Sequence, residues 1–395
     1  MFLLICYRGI CLGMSEGIKS IVENRTLRVE NMLLLNSSFI KNIGLMHGKM
    51  GISIFFYHLA QKSSQDIYQN YAEELIDEIY DEINDSASID FENGLAGIGW
   101  GIEYLAQNGF IDANTDDVLE EFDRLLFEEI SNDTSKKVEL LDGLIGIGFY
   151  FLKRVQNLKG DSSKTSLNIQ ALIHLFELFD KKLTCQQIEE WLSDDIGVSG
   201  NNEFLKNELV KVDVKSIVKE SFDITWNYTV LLWFLIEGYN QDVTNLKAKE
   251  LILRLLKPLI DHRHWPKLYG KQLLILLCIE KLKSQCQNIY DDLHDFHCRL
   301  ELEMSKVSPT ILINVFDKSV NNLRFGLVGV AWVYQQLFYL TNKIDYQRMS
   351  NFLLKNKRSL DSQEKLFEFA NGQQSLGVLE GLMGIHVFTH LYKSV

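Results

Sequence analysis

The pattern that most limits what this chain can fold into is a pair of glycines three residues apart, each time heading an apolar run. It reads "HGKMGISIFFYHLAQ" from His47, "NGLAGIGWGIEYLAQNG" from Asn93 and "DGLIGIGFYFLKRV" from Asp142. Later copies are "FGLVGVAWVYQQL" from Phe325 and "EGLMGIHVFTHLY" from Glu380. In the second copy Leu95, Ile98, Ile102 and Leu105 share one helical face, so each copy predicts a helix. Interior glycine costs a helix about 1 kcal/mol relative to alanine, and its recurrence therefore demands a reason. Close approach supplies one: small residues admit a neighbouring helix, or leave the helix start open to groups that must come near.

The second glycines stand at 51, 97, 146, 329 and 384, and the shorter intervals suit a unit of two helices with loops. The long interval after Gly146 has room for two degenerate copies, "DITWNYTVLLWFLIEGY" and "KLYGKQLLILLCIEKL", the second keeping only Gly270. Amphipathic stretches such as "IYQNYAEELIDEIYDEI" and "DDVLEEFDRLLFEEI" lie between copies. Apolar helices want burial on all sides and amphipathic ones on a single face. The expectation is an all-α fold, an α/α toroid of about seven helical hairpins with the apolar helices inside. Three prolines in 395 residues agree with a helix-rich chain. Residues 1–40 read as an N-terminal segment and outer helix, and 41–395 as the barrel. An insertion is expected at about 156–220, with helices of its own in "LNIQALIHLFELFDKK". No shift in composition marks a domain boundary.

A net charge of −13 and the lack of a long basic run argue against nucleic acid or an acidic membrane surface as partner. The six cysteines are irregularly spaced without a C-x-x-C pair, which favours a reducing compartment over a disulfide framework. The opening "MFLLICYRGICLGMSEG" makes a poor signal peptide, with Met14 a second candidate start, and no run reaches the ~18 apolar residues a membrane helix needs. A cytoplasmic protein is expected. P-loop, dinucleotide-binding and G-x-S-x-G patterns are missing from the sequence.

The glycine series, with "GLAGIG", "DGLIGIG" and "GLMGI", resembles the lanthionine synthetase C-like (LanC-like) family from about Ile43 to Leu391. The resemblance implies a seven-unit α/α barrel related to six-hairpin glycosidase-like toroids. It also implies work on peptides: cyclases of the family add a cysteine thiol to a dehydrated serine or threonine, with zinc holding the thiol as thiolate. Their zinc ligands are a cysteine in a W-C-Y-G-like motif and the Cys-His of C-H-G. Those positions are here Leu268 in "KLYG" and Arg324 with Phe325 in "LRFG", so the family's zinc site is expected to be lost and no cofactor is expected. The A-H-G-like histidine of the fourth unit corresponds to Thr225, and the acid four residues before the third unit's first glycine to Glu139. A precursor peptide is the implied partner, with a dehydratase as a second one.

The residues just before the first glycine are His47, Asn93, Asp142, Tyr269, Phe325 and Glu380, and in a barrel they would ring one mouth. Helix N-termini there would offer N–H groups and partial positive charge. The plainer expectation is that Asn93 and Asp142 are simply N-caps. Glu139, Asp142 and His47 are the candidate catalytic groups, and Asn93, Tyr269, Arg324 and Glu380 the candidate substrate contacts. Two alternatives stay open: a carbohydrate hydrolase using carboxylates such as Asp142 and Glu380, or a cyclase whose metal has moved to His47 with Asp142 or Glu380. His294, His297 and Cys298 also lie along one side of a helix, where an amphipathic stripe makes incidental histidines the expectation. Cys278, His386 and His390 read as packing residues.

Overall fold

A computed structural model of the chain describes residues 30–31, 33–83, 87–132, 136–156, 165–193, 222–316 and 322–355. The copy from Glu380, with His386 and His390, lies outside the described residues. The described residues contain helices and no strands. They cluster into two compact units, one running to Lys182 and including Glu237–Ala248, the other made of Leu183–Ile236 and the residues from Lys249 onward.

Apolar and amphipathic helices alternate. The first unit holds α1 (Lys49–Ser63), α2 (Asp66–Glu82), α3 (Leu95–Gln107), α4 (Glu120–Asn132), α5 (Leu144–Val155) and α6 (Thr165–Lys182). After α7 (Cys185–Leu192), α8 (Asn227–Tyr239) and α9 (Asn245–Ile260) pass through both units, each beginning in one and ending in the other. The second unit continues with α10 (Tyr269–Gln285), α11 (His294–Ser305), α12 (Leu327–Thr341) and α13 (Ile344–Lys355).

Burial follows the sequence pattern. Every residue of α5 is buried, as are Lys49 to Ala60 of α1 and Leu327 to Leu337 of α12. In α2 only Tyr68, Ala72, Leu75 and Ile79 are buried, a single stripe at helical spacing. Helix α2 packs on α1, where the buried Lys49 ammonium meets Glu78 at 2.9 Å and also pairs with Glu82. Helix α6 packs on both α5 and α4. Helix α6, within the stretch expected as an insertion, thus packs as an amphipathic partner of α5.

The paired glycines have a specific cause. A Cβ on the first glycine would stand 2.4 Å from the Asn42 carbonyl oxygen at Gly48, 2.1 Å from that of Ser88 at Gly94 and 2.5 Å from that of Lys137 at Gly143. On the second glycine it would stand 2.1 Å from the Phe91 carbonyl oxygen at Gly97, 2.2 Å from that of Leu140 at Gly146 and 2.1 Å from that of Leu323 at Gly329. In all six cases the carbonyl lies six residues earlier, so the incoming loop doubles back across its own helix. Backbone cannot step aside as a side chain can. The expected approach of neighbouring helices occurs too, at Gly99 against Tyr150 and Gly101 against Met50.

The same crossing satisfies the helix starts. Lys49 N–H donates to Asn42 O at 2.9 Å, Leu95 to Ser88 O at 2.7 Å and Leu144 to Lys137 O at 2.9 Å. These donors would otherwise lack partners. The N-caps of α1, α3, α5 and α12 are Gly48, Gly94, Gly143 and Gly326, without a side-chain cap. Two expectations are thereby corrected. Asn93 and Asp142 are not N-caps, and the helix starts are closed by backbone carbonyls rather than held open for a ligand.

Candidate functional site

In the first unit the loops before α1, α3 and α5 are tied side by side. Met46 N–H donates to Glu92 O at 3.0 Å, and Phe91 and Glu92 N–H both donate to Leu141 O, at 2.9 and 3.1 Å. This ladder brings the residues ahead of the first glycines, His47, Asn93 and Asp142, to neighbouring loops along one edge of this unit. His47 Nε2 lies 2.8 Å from Glu92 Oε1, both side chains half-buried. Asn93 accepts from Asn42 Nδ2 at 2.6 Å, while its backbone N–H donates to Asp90 at 2.6 Å. Asn42 in turn accepts from Gly44 N–H, so the Asn42 amide is held at both ends and fixes the Asn93 oxygen.

Glu139 and Asp142 sit at the third loop. Burial raises the Glu139 carboxyl above the usual carboxylate range, and a hydrogen bond with Asp142 and that group's charge push the same way, against Lys137. Glycoside hydrolysis needs two carboxyls about 5 Å or more apart, with the scissile bond between them. Glu139 has Asp142 as a direct neighbour on the same loop. Glu380 lies outside the described residues, and with it the Asp142–Glu380 pair.

In the second unit the loops before α8 and α12 are joined by Ile224 N–H donating to Arg324 O at 3.0 Å. Arg324 is 22% exposed, and its guanidinium meets Asp223 through Nε at 3.2 Å and Nη2 at 3.4 Å. Its other face lies 4.6 Å from the centre of the Phe325 ring. Asp223 Oδ1 also accepts from Thr225, from the backbone N–H at 2.8 Å and the hydroxyl at 2.7 Å. Arg324 and Thr225, read separately from the sequence, thus converge on one carboxylate that sequence reasoning missed. Tyr269 is half-buried and hydrogen-bonds Tyr334 through its hydroxyl, and burial pushes its phenol up to about 12. Leu268 is the N-cap of α10 and contributes no side-chain cap.

Residues 40–199 match the family model described as lanthionine synthetase C-like protein. Nisin cyclase, a solved structure, matches with a TM-score of 0.54 at 16% sequence identity, over 95% of this chain and 93% of its own. The stretch from 40 to 199 is thus similar to the LanC-like family, and the whole chain is similar in fold to that cyclase structure. At that identity the structural match speaks for the fold, which is the expected α/α toroid class. No curated protein matches the chain.

Measured against the zinc chemistry of LanC-like cyclases, the positions held by Leu268, Arg324 and Phe325 do not fit the ion. Leucine and phenylalanine carry no donor atom, and a guanidinium is itself a cation. Nor is His47 joined by two further donors: among the described residues the one group of three possible ligands within bonding reach is Glu280, His297 and Glu301. The expectation for α11 is therefore half right. His294 and Cys298 are exposed, whereas His297 turns inward. A charged residue at Glu280, inside "LLILLCIEKL", was the sequence signal that something polar must face α10. Cys278 packs as expected: it is buried, with its thiol pushed up to about 12 and directed at Thr229 O at 3.5 Å.

Proposed function

We propose that this chain is a LanC-like protein that serves lanthipeptide-type peptide maturation in the cytoplasm by binding or presenting a precursor peptide, without the zinc-dependent thioether closure of the family's cyclases. The observation that carries this reading is the Arg324–Asp223 pair. A positive group paired with Asp223, which Thr225 also bonds, and set against Phe325 stands at a position that the family resemblance assigns to a zinc ligand. Such a group orients carboxylates and peptide carbonyls and does not activate a thiol. The first-unit edge adds polar contacts suited to a peptide backbone, with Asn93 and His47 held by their neighbours and the Glu139 carboxyl raised by burial beside Asp142. A dehydratase acting on the same peptide is the companion this role requires.

The membrane does not enter the proposal: among the described residues no helix is long and apolar enough to cross one. The test is twofold. Fluorescence anisotropy with labelled Cys/Ser/Thr-rich precursor peptides should report binding that weakens in Arg324→Ala and in Asp142→Asn. Mass spectrometry after thiol alkylation should show the free cysteines of a dehydrated peptide unchanged. Thioether formation by the wild-type protein, at a rate above the spontaneous one, would falsify the reading.

A further inference from the structure

Glu280 interrupts the apolar run of α10 and is only 4% exposed. A carboxylate so placed requires a cation or several donors. Its Oε1 lies 3.3 Å from Nε2 of His297 on α11, a residue 2% exposed. The two atoms are not aligned as a hydrogen bond, and neither has a hydrogen-bond partner although both are buried. Glu301, one turn further along α11, brings its Oε1 to 4.0 Å from the same nitrogen. All three donor atoms lie within 4.8 Å of one another. On the far side of the imidazole the Tyr290 hydroxyl sits 2.8 Å from Nδ1 and fixes the ring, so Nε2 is aimed at the carboxylates. Lys343 reaches in from the surface, 46% exposed, to hydrogen-bond Glu301 and come within 3.7 Å of Glu280 Oε1. One ammonium faces two carboxylates.

We propose that Glu280, His297 and Glu301 bind a divalent transition-metal ion of the zinc class, with Tyr290 orienting the imidazole and Lys343 as the competing cation. One imidazole nitrogen and two carboxylates form a donor set that suits zinc better than magnesium or calcium, which prefer oxygen alone. Tetrahedral ligands at about 2.05 Å from zinc stand about 3.3 Å from each other, and His297 Nε2 and Glu280 Oε1 already have that separation. A histidine ligand normally donates its second ring N–H to a partner. The Tyr290 hydroxyl is placed to accept it, leaving the Nε2 lone pair for the metal. The ion would cross-brace α10 to α11, a role independent of the family's zinc positions and of the proposed peptide site.

The experiment uses the full chain, stripped with a chelator. Zinc is titrated against a chromophoric competitor, and cobalt(II) serves as a visible-absorption probe. One equivalent should bind. Glu280→Gln and His297→Ala should each abolish it, Tyr290→Phe should weaken it about tenfold, and Lys343→Met should tighten it. Arg324→Ala should leave it unchanged, which separates failure here from failure of the peptide reading. His294→Ala with Cys298→Ser, which removes the exposed pair on α11, should also leave it unchanged. Because His297→Ala opens a cavity, the near-isosteric Glu280→Gln decides the matter if the former misfolds. Absence of stoichiometric binding overturns the proposal. So does binding that survives Glu280→Gln, or binding lost in Lys343→Met.

Discussion

In the first unit, Arg154 of α5 meets Glu103 at 2.7 Å, Asp123 at 2.8 Å and Asp116 at 3.1 Å. In the second, Glu280 of α10 meets His297 at 3.3 Å without a hydrogen bond. Both clusters lie where an apolar helix packs against amphipathic ones, and both bury carboxylates. Arg154 spends its donors fully, with Nε on Asp123, Nη1 on Glu103 and Thr115, and Nη2 on Asp116 and Asp123. Tyr150 and Asn168 add further hydrogen bonds to Asp123. A rigid guanidinium fork closes a network in a way that one ammonium and one imidazole do not. The first cluster is complete as it stands, and the second has room in its coordination for an ion.

That difference is most easily broken at Arg154. Arg154→Met leaves Glu103 and Asp123 buried without their cation, a situation that costs about 3–5 kcal/mol. Urea denaturation should show a loss of that size or an insoluble protein. A loss below about 1 kcal/mol would mean the network is not the closed structure its geometry describes.

The crossing of loop over helix is common to both units, so its disruption should not discriminate between them. Gly146→Ala and Gly329→Ala each drive a Cβ against a carbonyl oxygen, at 2.2 and 2.1 Å. Overpacking of this kind costs up to about 3 kcal/mol. Matched drops in thermal midpoint are expected, and a drop confined to one variant would show that the units differ in backbone as well as in polar clusters.

The recurrence of the glycines was legible in the sequence, and with it the helical hairpins and the fold class. What the glycines approach was not, because a loop carbonyl six residues back leaves no mark in side-chain chemistry. The site followed the same rule. Arg324 and Thr225 were identified by position, yet Asp223, which joins them, lies 101 residues from Arg324 and belongs to a degenerate copy whose glycines are Trp226 and Thr229. His297 read as incidental because periodicity places it near a stripe without saying what faces the stripe. Only the neighbouring helix, through Glu280, turns it from a packing residue into a candidate ligand.

Buried histidines extend the comparison to pH. His58 in the first unit hydrogen-bonds Tyr104 at 2.8 Å and packs edge-on to Phe110, and burial lowers its pKa to about 3. The unfolded chain takes up that proton near pH 6.5 and the folded one only near 3, so the unfolded state gains protons first on acidification. Stability from neutral His58 is complete above about pH 6.5 and falls by about 1.4 kcal/mol per pH unit below it, or about 2 kcal/mol by pH 5. Denaturation curves should show His58→Gln with a flatter dependence than wild type between pH 6.5 and 3. Equal slopes would remove His58 as the cause.

The smallest expected effect is the most telling one. In chelated, metal-free protein Glu280→Gln takes one of two carboxylates from a cluster served by a single ammonium, and Lys343 keeps its hydrogen bond to Glu301. Removing a buried charge that lacks a well-formed partner is close to neutral, within about 1 kcal/mol, and can stabilise. The sign is thus opposite to that at Arg154, although both changes alter a buried charged group beside an apolar helix. A loss of 3 kcal/mol or more in metal-free protein would place Glu280 and His297 in an ion pair as closed as that of Arg154. The two units would then bury charge by one rule, and the second would have no ground left for a metal.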